Sequence, residues 1–582
     1  MSEERIVPTS KPNDLHTFKI LVEGAKINSQ YNIVSISVSK SVNKISGATV
    51  LLLDGDAAKE SFEASNSDDF IPGKEIEIQS GYHSDDTAIF KGIIIKQSIK
   101  IKKGRPSLLV IDCKDKAVKM TVGRKNAYFY DSKDSDIIEE IINSYSLDNE
   151  IEATSPQHKE MVQYYSTDWD FILSRADVNG KIVITDDGKL IVKAPDTSAD
   201  PVLSLIYGST ILDFEAEMDA RSQYTAVKSV SWDAANQELV EAEAEEPAIA
   251  DLGNLNSSDL SDVIGLESLV LQHTGNVISD ELQSWANAKM MKSRYSKIRG
   301  RVKCQGLPDV KPGTMIEVNG LGDRFSGKAY VSAIRHQVTR KNWETDIQFG
   351  LNDQWYNKSD NVVSPPASGL LPSIDGLQIG IVTQLESDPD GEDRVLVKVP
   401  VISTEDDGIW ARVATLDAGE KRGSFFRPEI DDEVILGFLN SDPRDPVILG
   451  MLNSSAKPAP LTASDDNNEK GFVTRSEMKL IFNDDKKSIT IETPQGNKII
   501  LSEDSSSILL EDQNSNKIEM SSNGIAIESA SEISIKASSD IKIEGANVKL
   551  KADAEFKAEG SAGAKMESSA IAEVKGSMVK IN

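Results

Sequence analysis

The chain has 582 residues, enough for roughly three to five domains of ordinary size. Its 93 acidic residues outweigh 64 basic ones, a formal net charge of −29. That balance argues against general binding to nucleic acid or to anionic membrane surfaces, since both need cationic patches. No apolar stretch approaches the roughly 20 residues that cross a bilayer, and the opening MSEERIVPTSKPNDLHTF lacks the basic-then-apolar layout of a secretory signal. The expectation is cytoplasmic synthesis without stable membrane insertion, and any export by a route other than a signal peptide. Cys113 and Cys304 lie far apart and read as core thiols, not as a disulfide scaffold.

In chain order, residues 1–15 read as a flexible arm, and 16–361 as one large, mainly β region. Alternating segments such as TFKILVEG, YNIVSISVSKSV, EIEIQSGY and PSLLVIDC predict half-buried strands up to Cys113. Ile137, Ile138, Ile141, Ile142 and Tyr145 then form a helical stripe behind Ser135 and Asp136. Thr167 with Asp170 resembles a capping box before Phe171, Ile172 and Ala176, with Gly180 as the stop. KIVITDDGKLIVKA predicts a hairpin, and 237–262 turns acidic and small, the composition of a surface loop or linker. Leu282, Trp285, Ala286 and Met290 mark one face of a further helix entered through Ser279, Asp280 and Glu281. Residues 362–375 read as a linker. About five short strands in the roughly 80 residues of 376–460 suit a small Greek-key barrel of the oligomer-binding (OB) type. Its loops are acidic, which disfavours nucleic acid as its ligand.

The tail carries the strongest pattern. Ile525, Ile533 and Ile541 are spaced by eight, as are Ile527, Ile535 and Ile543. After a shift of one, eights resume through Val548, Phe556 and Ala564, and through Leu550, Ala558, Met566 and Val574. Strict alternation predicts short strands with one apolar face. Nothing in one chain covers that face, so 471–582 is expected to form an intertwined trimeric needle, a triangular β-prism. Its core would be Ile525, Ile527, Ile533, Ile535, Ile541, Ile543, Val548, Leu550, Phe556, Met566 and Val574. At its end Met578, Val579 and Ile581 are candidates for docking a separate tip protein.

Catalytic patterns are weak. Gly322, Gly327 and Lys328 approach a phosphate loop, but Ala329 stands where Ser or Thr should hold magnesium, and a hairpin turn reads better. Asp388, Asp390, Gly391 and Glu392 hint at a calcium loop without its later bidentate glutamate, so an acidic turn is expected. The five histidines never pair at ligand spacing, and His336 reads as a hydrogen-bonded structural residue. No enzyme activity, cofactor or metal is expected.

Residues 410–460, WARVATLDAGEKRGSFFRPEIDDEVILGFLNSDPRDPVILGMLNSSAKPAP, resemble the barrel segment of VgrG spike proteins of type VI secretion and phage-tail-like injection machines. Trp410, Pro428, Glu433, Val434, Asp442, Pro443, Pro446, Val447 and Gly450 carry the shared pattern. Residues 161–180 resemble the family's helix, with Arg175 and Gly180 in its Arg-x-x-x-x-Gly, and 336–351 its closing strand pair, with Trp343 and Thr345 matching. The resemblance implies a hub of two β-barrels at 16–361, an OB-fold barrel and a needle. It also implies a structural central spike that joins an inner tube to a membrane-puncturing tip and delivers cargo when a sheath contracts. The partners implied are two further copies of the chain, an Hcp-like tube protein and baseplate components at the hub, a PAAR-type conical tip protein, and effector cargo. A trimeric β-fibre adhesin or receptor-binding protein is the alternative.

Overall fold

The computed structural model describes residues 15–250, 252–358 and 362–581. Apart from Leu15, the arm expected over 1–15 lies outside the described residues. The chain is mainly β and divides into two compact units, 1–376 with 438–446, and 377–437 with 447–582.

The first unit is built on a 13-stranded sheet. One half runs, in ladder order, through His16–Val22, Glu75–Tyr82, Asp85–Lys100, Leu108–Lys114, Gly47–Leu53 and Asn32–Ser41. The other runs through Gly327–Thr339, Trp343–Phe349, Ile298–Gln305 and Asp213–Met218. The halves join where Asn32–Ser41 pairs with Gly327–Thr339, Val38 opposite His336. The two barrels expected of the hub therefore take the form of two apolar cores on one continuous ladder. Ile36, Val38, Val50, Leu52, Ile78 and Phe90 fill the first, and Val302, Cys304, Ile316, Val331, Ile347 and Phe349 the second. Period-two alternation puts these side chains on the inner face while their neighbours face out.

Helices pack in a separate layer. Helix α1, Asp134–Asn143, buries Ile137, Ile138, Ile141 and Ile142. Helix α2, Asp168–Val178, starts at Thr167, whose side chain accepts from the Asp170 amide, and ends before Gly180 at φ 64°. Both follow the sequence pattern. Helix α3, Ser257–Ile264, and strand Glu238–Glu243 correct the reading of 237–262 as a loop or linker. Glu238–Glu243 pairs antiparallel with Val227–Asp233, Trp232 opposite Leu239. Asn256 and Asp259 cap α3 reciprocally. Acidic residues on an exposed face lower the mean hydropathy without breaking the alternation. Helix α4, Ser279–Tyr295, buries Leu282, Ala286 and Met290 against this small sheet.

The second unit starts with a closed barrel of five strands, Gln378–Gln384, Val395–Lys398, Ile409–Val413, Glu433–Phe438 and Pro446–Met451. Val382, Val395, Val397, Ala411, Val434, Leu436 and Ile448 fill it. Seven five-residue strands follow as an antiparallel meander from Glu469–Val473 to Gly524–Glu528. Phe426 of the barrel stacks on Phe472 of the first meander strand at 5.1 Å, and Arg475 pairs with Glu429 at 2.8 Å. Among the described residues no strand is assigned after Glu528. No helix is long and apolar enough to cross a membrane among the described residues.

Candidate functional site

The needle region presents one uncovered apolar surface, and the turn chemistry explains it. The turns between the strands supply left-handed residues, Lys487 at φ 46°, Gly496 at 92°, Ser506 at 48°, Ser515 at 66° and Gly524 at 113°. Each strand is then five residues long, with two side chains on one face and three on the other. The pairs on the first face are Ile489 and Ile491, Ile499 and Leu501, Ile508 and Leu510, Ile518 and Met520, and Ile525 and Ile527.

Register stacks them into two columns. Ile491 lies opposite Ile499 and Ile489 opposite Leu501. Ile499 then faces Leu510, Leu510 faces Ile518, and Ile518 faces Ile527. The second column continues from Leu501 through Ile508, Met520 and Ile525. All ten side chains are exposed in the single chain, Ile491 by 46% and Ile527 by 57%. The strand ends on the opposite face are ion-paired across strands, Lys498 to Glu511 at 3.1 Å and Lys517 to Glu528 at 3.4 Å, with Ile500 opposite Leu509 between them. A face this apolar loses about 25 cal/mol for each Å² left in water, so a covering partner stabilises it.

Of the residues the sequence singled out, Ile525 and Ile527 sit on this face at its last strand. Ile533, Ile535, Ile541, Ile543, Val548, Leu550, Phe556, Met566 and Val574 follow beyond it, each at least half exposed in the single chain. Met578, Val579 and Ile581 are exposed by 75%, 48% and 90%. The eight-residue pattern missed Ile489 to Met520, whose strands recur every nine or ten residues because of longer turns. The signal was present in the x-Ile-x-Ile strands alternating with Asp, Asn and Gly turns.

The first unit holds a buried charge cluster at the start of α1. Asp134, wholly buried at the start of α1, accepts from Arg175 Nε at 2.6 Å, Arg175 Nη2 at 3.0 Å and Asn179 Nδ2 at 2.8 Å. His158 Nε2 lies 3.1 Å from the same carboxylate. Burial raises the Asp134 pKa, but the bonds from His158, Arg175 and Asn179 outweigh it and hold the group well below the usual carboxylate range. No hydroxyl or thiol nucleophile is hydrogen-bonded to His158 among the described residues. Burial pushes the Cys113 and Cys304 thiols up to about 12, where they stay protonated and unreactive. Gly322 and Lys328 belong to a hairpin, Met315–Asn319 pairing with Gly327–Thr339, which fits a turn and not a phosphate cradle. Asp388 is taken by Arg394, Nη2 at 2.6 Å, and by the amides of Asp390, Glu392 and Arg394. The described residues contain no cluster of three or more acidic, His or Cys side chains placed for a metal.

Three sequence families match the chain. Residues 12–340 match the Alg8 N-terminal domain, and 378–452 the type VI secretion system/phage-baseplate injector OB domain. Residues 488–554 match the phage baseplate V C-terminal trimerisation domain, and all ten residues of the two apolar columns lie within them. The chain belongs to the VgrG-type spike proteins, with an Alg8 N-terminal domain. Among curated proteins none matches it by sequence. The spike is similar to the tail protein of Neisseria meningitidis MC58, at 14% identity and a TM-score of 0.43, over 59% of this chain and 98% of that one. It is similar to the E. coli c3393 protein, a component of the type VI secretion system, at 13% and 0.37 over 75% and 100%. In the Francisella PdpA-VgrG complex the match is 12% and 0.37 over 89% and 81%. These TM-scores are below 0.5, so membership rests on the sequence families.

Proposed function

We propose that three copies of this chain form the central spike of a contractile injection machine. The spike would link the inner tube and baseplate to a membrane-puncturing tip and deliver cargo when the sheath contracts. The observation that carries the reading is the two-column apolar face of the meander, uncovered in one chain and lying in the matched trimerisation segment. Three copies turning that face to one axis would bury it, and the ion-paired face would meet solvent. The stripe from Ile533 to Val574 would continue the same core with strands shared between chains, giving a needle that resists axial load and unfolds slowly.

In this reading residues 16–361, within the first unit, are the hub that docks an Hcp-like tube protein and baseplate components, and 376–460 is the collar. The exposed apolar group of Met578, Val579 and Ile581 would receive a PAAR-type conical tip protein. The chain works by mechanics and catalyses nothing, a view supported by engaged carboxylates and protonated thiols in the first unit. The test is reconstitution with tube and sheath, with contraction followed by electron microscopy. Loss of contraction-dependent membrane breaching when the spike is withheld supports the reading. Full breaching without it sinks the reading.

A further inference from the structure

The two apolar columns do not end where the matched trimerisation segment begins. Phe482 lies opposite Ile489, Leu480 opposite Ile491, and Phe472 opposite Leu480. Directly opposed residues of an antiparallel ladder share a face. The first column therefore runs back from Ile491 through Leu480 to Phe472. The second runs back from Ile489 to Phe482 and stops at Lys470. That ammonium is held at the strand end by the Asn467 carbonyl at 2.7 Å and by Asp484 at 2.5 Å.

The first column then passes onto the barrel. Phe426 stacks on Phe472 with the ring planes 9° apart. The barrel loop is tied down just after Phe426. Arg427 pairs with Asp393 of another barrel loop, and Glu429 with Arg475 in the first hairpin turn of the meander. Pro428 between them fixes its own backbone φ. Phe426 nevertheless stays 56% exposed, Phe472 46% and Phe482 42%. Those values equal the exposure of the columns below, so these rings need the same cover.

Continuity identifies the cover. Three copies that turn their columns to one axis bring each column residue close to its own counterparts. A face that runs unbroken onto the barrel carries the barrel loop to that axis as well. The covalent link sets no such position, because residues 452–468, between the last barrel strand and the first meander strand, contain no helix or strand. We propose that the trimer interface extends beyond the trimerisation segment and ends on the barrels, where Phe426 and Phe472 of each copy pack against those of the other two. This rests on the trimeric spike reading and deepens it. Packed rings would close one end of the needle core and lock each barrel to it, so that thrust passes through aromatic contacts and not through the link.

The test places single cysteines in the full-length chain, treats each variant with a short bismaleimide and reads the products on a denaturing gel. Cys113 and Cys304 are buried, so the parent chain gives the background. Ile508→Cys, within the second column, should link copies and reports the trimer itself. Phe426→Cys should link copies to a similar yield. Phe425→Cys tests the same loop with the Phe426 ring left in place and should also link. Glu519→Cys, on the opposite face of the meander, should stay unlinked. Linkage at Ile508→Cys with none at either loop position overturns the proposal and leaves the trimer standing. No linkage at Ile508→Cys sinks the trimer reading and this proposal together. Equal linkage at Glu519→Cys would mark random collision and overturn the proposal too.

Discussion

Arg175 holds Asp134 in a two-point grip, Nε on Oδ1 at 2.6 Å and Nη2 on Oδ2 at 3.0 Å, while its Nη2 also reaches Glu281 Oε1 at 2.6 Å. One guanidinium thus joins α1, α2 and the first turn of α4. Breaking a buried pair by removing one partner costs about 3–5 kcal/mol, because the remaining charge stays buried. Arg175→Leu is therefore expected to destabilise the helical layer by about that amount. The measurement is amide exchange of α1 and α2 in the full chain, since a multi-unit protein gives no single unfolding free energy. Unchanged protection would show that the cluster is dispensable.

His336 makes the first unit acid-sensitive. Its Nδ1 lies 2.9 Å from Thr345 Oγ1, and burial, with Lys40 nearby, lowers its pKa to about 3. The unfolded chain binds that proton near pH 6.5, so stability from this group is complete above about 6.5 and falls as pH drops toward about 3. At pH 5 the loss is about 2 kcal/mol. Asp134, whose pKa is also lowered in the fold, adds loss in the same direction only once pH falls below the ordinary carboxylate range near 4. His336→Gln should flatten the decline between pH 6.5 and 4 and leave the steeper part below it. An identical pH profile for the variant would mean that another group controls it.

Local grammar carried much of this fold into the sequence. The Thr167 cap, the isoleucine stripe of α1 and the turn-punctuated strands of the barrel are legible because each depends on neighbours in the chain. The Asp134 cluster is not, since Arg175 and Glu281 lie 106 residues apart and only the packed helices bring them together. The strand Glu238–Glu243 was hidden by its charge, because its pairing with Val227–Asp233, and not its composition, makes it a strand. The meander was half legible. Its last strand fell within the eight-residue pattern, while the nine- and ten-residue spacing of the earlier strands put their isoleucines out of that register.

The apolar columns yield a prediction about assembly. Ile499 and Leu510 face each other in the middle of the first column, and both are exposed in the single chain. Burying an unpaired carboxylate at that point costs several kcal/mol per ion after relaxation, and threefold symmetry repeats the cost in every copy. Ile499→Asp with Leu510→Asp should convert the trimer to monomers at micromolar concentration by light scattering. Glu519→Gln, on the opposite face, should leave the trimer intact. A wild-type chain that runs as a folded monomer would remove the basis of the spike reading.

The end of the needle can be tested separately. Upstream, Val548, Leu550, Phe556, Met566 and Val574 share one parity, and Ile571 alone of the large aliphatics between them takes the other. In the register of Val574, Met578 stays on that side, whereas Val579 and Ile581 fall on the other. Apolar groups on both sides exceed what one inward face of a trimer can bury, and the surplus is free to pack against another protein. The intervening Lys575, Ser577 and Lys580 are polar, which sets Met578, Val579 and Ile581 apart as a local apolar group. Met578→Asp with Ile581→Asp is expected to abolish co-purification of a co-expressed PAAR-type tip protein while light scattering still reports a trimer. Retention of the tip at wild-type stoichiometry in that variant would place the docking surface elsewhere.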